Sequence, residues 1–126
     1  MKFAALLLLG LGLLFALERE GNFTIRFEPT ATLQTGAPIP FQITVHDAAH
    51  KPLPDAKVTL QIETANQTHV KIFPAPAVDT RANPGIYVAK AVFDVPGKWS
   101  VRVEVRRENA QWDEVSARTI EFTVPE

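Results

Sequence analysis

A two-residue hydrophobic rhythm runs through the chain from Phe23 onward and leaves little room for any structure but strands. Phe23, Ile25 and Phe27 alternate with Thr24 and Arg26, and Ile39, Phe41, Ile43 and Val45 alternate with Pro40, Gln42, Thr44 and His46. The same beat returns in Val58, Leu60 and Ile62, in Tyr87, Ala89, Ala91 and Phe93, in Trp99, Val101, Val103 and Val105, and in Ile120, Phe122 and Val124. Val70 and Ile72 frame Lys71 in a shorter segment. Successive side chains of a strand point to opposite faces, so each segment buries one face and wets the other. No segment after residue 22 carries the 3.6-residue period of an amphipathic helix.

The breaks between these segments are turn chemistry. Lys51-Pro52-Leu53-Pro54-Asp55 separates two of them, and Asn83-Pro84-Gly85 and Pro96-Gly97 place proline before glycine, which suits a turn needing a positive φ. Glu108-Asn109-Ala110-Gln111 joins the last two long segments as a hairpin. Pro74 and Pro76 make residues 73–78 a stiff extended loop. About seven half-buried strands at short spacing describe an all-β, two-sheet antiparallel sandwich of the immunoglobulin-like kind.

Residues 1–17 are different. Lys2 precedes an unbroken apolar run, Phe3 to Leu17, that stops at Glu18-Arg19-Glu20. This is the pattern of a hydrophobic leader, read either as a cleaved signal peptide or as an uncleaved N-terminal membrane anchor. Both readings carry the domain across the membrane from Lys2, to the outer face of the cytoplasmic membrane, the periplasm or the extracellular space. The organisation is thus a leader (1–17), a tether (18–22) and one β-sandwich domain (23–126). The chain has no cysteine, so an exported domain of this size must hold together by packing alone. A formal charge of −1 gives no electrostatic case for a nucleic-acid partner.

Candidate chemistry is sparse. His46, His50 and His69 are the three histidines, and imidazoles that converged would suit Cu(II) or Zn(II). Four extended residues span roughly 13 Å, so His46 and His50 share a metal only if Asp47-Ala48-Ala49 curls back. The alternative is three unrelated surface imidazoles. For catalysis, the only serines are Ser100 and Ser116, neither in a nucleophile elbow, and the aspartates mostly flank turns, where they cap their own backbone. The chain is read as no enzyme. Trp112, just after the hairpin turn among Gln111, Asp113 and Glu114, is a candidate interface anchor. Phe73, beside Val70 and Ile72, is placed off the core and could join an exposed apolar patch that docks a protein partner. The asparagines of Asn22-Phe23-Thr24 and Asn66-Gln67-Thr68 match the glycosylation acceptor rule.

The strand ITVHD (43–47), then KPLPDAKVTL (51–60), PGIYVAKAVF (84–93) and PGKWSVRVEV (96–105), resemble in order the YtkA-like and FixH-like group of exported bacterial immunoglobulin-like domains. Gly85-Ile86-Tyr87 and Gly97-Lys98-Trp99 fit that group's Gly-x-Tyr and Gly-x-Trp segments. The resemblance implies a membrane-anchored or secreted accessory module, with some members tied to copper handling or respiratory oxidase assembly. Metal-handling relatives carry Met and His together, whereas here the only methionine is Met1. From sequence the chain is therefore expected to be an exported, non-catalytic interaction module of a cell-envelope assembly, or alternatively a copper- or zinc-binding module. Its oligomeric state is left open.

Overall fold

A computed structural model describes residues 22–108 and 113–126. Among the described residues the chain forms eight strands and no helix: β1 (Thr24–Pro29), β2 (Pro38–His46), β3 (Lys57–Thr64), β4 (Val70–Pro74), β5 (Ala77–Asp79), β6 (Asn83–Val92), β7 (Gly97–Glu108) and β8 (Asp113–Val124). They make two antiparallel four-stranded sheets, ordered β1-β2-β6-β5 and β4-β3-β7-β8. The first is the A-B-E-D sheet of an immunoglobulin-type sandwich and the second its C-F-G sheet, with β4 added beside β3. The expected all-β sandwich is present.

The alternation explains the core. Phe41, Ile43 and Val45 from β2, Leu60 and Ile62 from β3, Tyr87, Ala89 and Ala91 from β6, and Trp99 to Val105 at every second position of β7 are shielded from solvent. Aromatic rings knit the layers: Phe93 meets Trp99 edge-on at 5.3 Å, and Phe41 meets Phe122 at 5.7 Å. Each buried Val, Leu, Ile or Phe side chain among them contributes about 1.5–3 kcal/mol by leaving water. The two polar tips buried here are satisfied. Trp99 Nε1 donates to Val95 O at 2.9 Å. Tyr87 Oη donates to Leu53 O at 2.6 Å and accepts from Ala56 N at 3.1 Å, fixing the β2–β3 connection against β6.

One segment differs from expectation. Residues 73–78 are not a free loop: Phe73 and Pro74 complete β4, Ala75 and Pro76 cross to the other sheet, and Ala77 begins β5. Ala75 N donates to Val58 O and Pro76 O accepts from Val88 N, so the crossing is bonded to both sheets. The prolines are tolerated because β4 and β5 are edge strands.

Register fixes the two ends of the sandwich. Thr24 lies opposite His46, Thr44 opposite Ile86, and Lys57 opposite Arg106, so the start of β1, the β2–β3 connection and the β7–β8 hairpin share one end. Thr64 lies opposite Trp99 and Gly97 opposite Val124, which defines the other.

Candidate interaction surface

The sites read from sequence fall in different places. His46 closes β2 and bridges Pro52. His50 sits in the adjoining turn with φ 64°, its N–H donating to Asp47 O. His69 lies beyond the opposite end of β3, a strand of eight residues spanning about 26 Å. There its ring meets Trp99 edge-on at 6.1 Å, and Nδ1 is 3.1 Å from Thr68 Oγ1. The fold brings His46 and His50 to one end and leaves His69 at the other. Among the described residues no group of three His, Asp or Glu side chains is placed to share a metal ion.

The aspartates beside these histidines serve the backbone. Asp47 Oδ1 accepts from Ala49 N at 2.8 Å and Lys51 N at 3.0 Å. The bond from Lys51, reinforced by that from Ala49, holds its carboxyl below the ordinary 3.8. Asp79 does the same for Ala82 N and Arg81 N and is likewise lowered. Ser116, one of the two serines, is buried and accepts from Phe23 N at 3.2 Å. Trp112 lies outside the described residues.

Phe73 is turned the other way from expectation. It stands opposite Leu60 and packs, half-buried, against the core. Its alternation partners Val70 and Ile72 therefore point outward, 49% and 64% exposed, opposite Glu63 and Gln61 on the outer face of the sheet. Val78 of β5, 52% exposed, extends this apolar side around the sandwich. Between them Val58, Pro74, Ala75, Pro76 and Ala77 line a shallow groove of about 440 Å³. Lys71, on the inward parity between Val70 and Ile72, reaches across the seam to Asp94 at 2.9 Å.

The phase of the β3–β4 ladder says more. Thr64 N bonds His69 O and Ala75 N bonds Val58 O, so the bonded pairs step by two and include Lys71 with Ile62 and Phe73 with Leu60. Val70 and Ile72 are the non-bonded pairs, and their N–H and C=O groups face away from β3. β4 thus presents an open edge with two apolar side chains beside it.

The opposite side is partly latched. By the same phase argument from Thr30 N to Pro40 O, Phe23, Ile25 and Phe27 turn their main-chain groups outward from β1. Ser116 of β8 takes Phe23 N, and Arg118 Nη1 donates to Ile25 O at 2.8 Å. Arg107 stacks over the Phe23 ring at 5.3 Å while its guanidinium pairs with Glu114 at 2.7 Å. Sequence reasoning missed this latch. Its one signal is that Glu114, Ser116 and Arg118 continue the inward parity of Ile120 and Phe122 with polar residues.

A family model described as YtkA-like matches residues 18–104, which takes in the open β4 edge and leaves β8 outside. No curated protein matches the chain. With more than half of its length matched, the chain belongs to the YtkA-like family.

Proposed function

We propose that the chain is an exported, non-catalytic interaction module, an accessory part of a membrane-associated or cell-envelope assembly. The observation that carries this reading is the outward pair Val70 and Ile72 on an edge strand, a place where folded domains usually put charge or cover. The YtkA-like match supports an accessory role, and the apolar run from Phe3 to Leu17 supports export. The side chains that could do chemistry have structural work in this fold: Ser116 binds β1, Tyr87 ties a loop, and Asp47 and Asp79 cap turns.

The test is site-specific photo-crosslinking of the full chain in its native membranes. A photoreactive residue at position 72 is expected to give a discrete protein adduct. The same residue at position 42, on the outer face of the other sheet, is expected to give none. No adduct from position 72, or equal adducts from both positions, would remove the support for an interaction surface here.

A further inference from the structure

Of the four edge strands, β1 and β4 are unlike. On β1, Phe23 N and Ile25 O are taken by Ser116 and Arg118, whereas among the described residues nothing outside the ladder bonds Val70 or Ile72. We infer that β4 is the receptor for an extended segment of a partner protein, which adds to the sheet as a fifth strand. This rests on reading the β4 side as an interaction surface, and it names what binds there.

The geometry sets what the segment looks like. Val70 and Ile72 each offer one N–H and one C=O, and Pro74 offers a C=O but no N–H, so the new ladder ends there. Residues opposite Val70 and Ile72 share their outer face and are apolar. The residue between them shares the face of Lys71, whose side chain stays 42% exposed while it pairs with Asp94, and is acidic. The segment reads apolar, acidic, apolar, in a strand.

A second copy of the chain fits poorly. Antiparallel self-pairing that uses both Val70 and Ile72 sets Lys71 against Lys71, and like charges directly opposite destabilise. Shifting by one step one way sets Val70 against Pro74, which has no N–H. Shifting the other way sets Ile72 against Thr68, whose N–H is already held by Asn66 Oδ1 at 3.2 Å. Nor do two partly exposed aliphatic side chains approach the roughly 800 Å² per partner of a stable protein–protein face. Main-chain bonds to a short segment suit the edge better.

The experiment uses the ¹⁵N-labelled full chain in detergent micelles and the blocked peptide acetyl-Thr-Val-Asp-Ile-Thr-amide. Binding is expected to slow exchange of the Val70 and Ile72 amides at least several-fold, with little change at Lys71 and Phe73, which already sit in the ladder. Replacing the peptide's Asp by Lys is expected to weaken binding about 2- to 5-fold. Ile72→Pro should abolish it without unfolding the chain, because that N–H faces solvent on an edge strand. Should that variant fail to fold, N-methylating alternate peptide amides removes the same bonds from the other side. Protection elsewhere, none at millimolar peptide, or undiminished binding of the N-methylated peptide would overturn the inference. The two proposals fail separately. A crosslinked partner that persists on a folded Ile72→Pro chain sinks strand addition and leaves the module, while absence of any adduct sinks the module itself.

Discussion

Tyr87 carries more of the fold than one aromatic ring in a core. Its hydroxyl both donates to Leu53 O and accepts from Ala56 N, so Tyr87→Phe leaves a buried carbonyl and an amide to find water. The variant is expected to lose about 1–3 kcal/mol in urea unfolding. Burial, ahead of every other influence, pushes the phenol above its ordinary 10.0. A raised pKa in the fold means that the neutral phenol is favoured there. Its contribution is complete below pH 10.0 and is lost as pH rises through the folded value. It is the only tyrosine, so phenolate absorbance reads this group alone, and the Phe variant should lack its share of the alkaline loss. Asp47 and Asp79 act with the opposite sign. Their lowered carboxyls contribute above 3.8, and that contribution goes as pH falls through the folded values. Two glycines separate conformational strain from crowding. Gly36 and Gly85 both have positive φ, 78° and 81°, but a Cβ at Gly36 meets nothing, while at Gly85 it comes 2.8 Å from Val45 O and 3.0 Å from Pro52 Cβ. Gly36→Ala should cost about 1 kcal/mol and Gly85→Ala clearly more, read as the difference in denaturant midpoint at constant slope.

At the scale of the strand, the latch between β1 and β8 has a testable consequence. Removing Arg118 leaves Ile25 O without its donor, and removing Ser116 frees Phe23 N. The double variant Ser116→Ala with Arg118→Ala is expected to loosen β1 by about 1–3 kcal/mol. Hydrogen exchange should speed at Thr24, Arg26 and Glu28, whose amides pair with β2, and stay unchanged at β3 and β7. Equal acceleration across both sheets would mean that the contacts stabilise the whole domain rather than one edge. The strands themselves were legible because most segments put apolar residues on one parity only. The facing of β4 was not: Val70, Ile72 and Phe73 place apolar residues on both parities, and alternation cannot choose between them. The choice was made by the partner strand, since Phe73 lies opposite Leu60, which faces the core. The short β5 escaped notice for a similar reason. Ala77-Val78-Asp79 is too brief to show a period, and its pairing with β6 is interrupted by a bulge. Three isolated histidines looked like a possible site because sequence spacing does not reveal that β3 runs the length of the sandwich between them.

At the scale of the molecule, the end at which the chain enters the sandwich decides how an N-terminal anchor would orient it. Residue 22 leaves the sandwich at the end that holds the 47–56 connection and the turn between β5 and β6, while residues 30–36 and Gly97 lie at the opposite end. The apolar run stops at Leu17, so only residues 18–22 separate it from the folded body, a reach of at most about 17 Å when extended. A retained leader would therefore hold the first end against the membrane, and β4, antiparallel to β3 along the length of the sandwich, would stand roughly along the membrane normal. An edge in that posture is accessible along its length to a strand rising from a neighbouring membrane protein. The arrangement predicts an asymmetry in labelling. With the full chain in sealed vesicles, Thr35→Cys at the far end should react readily with a bulky maleimide, and Ala48→Cys at the tethered end should react several-fold more slowly. Both positions are exposed in the fold, so detergent should equalise them. Equal rates before detergent would mean that no retained leader holds the domain down, and a slower Thr35→Cys would mean that it stands the other way up.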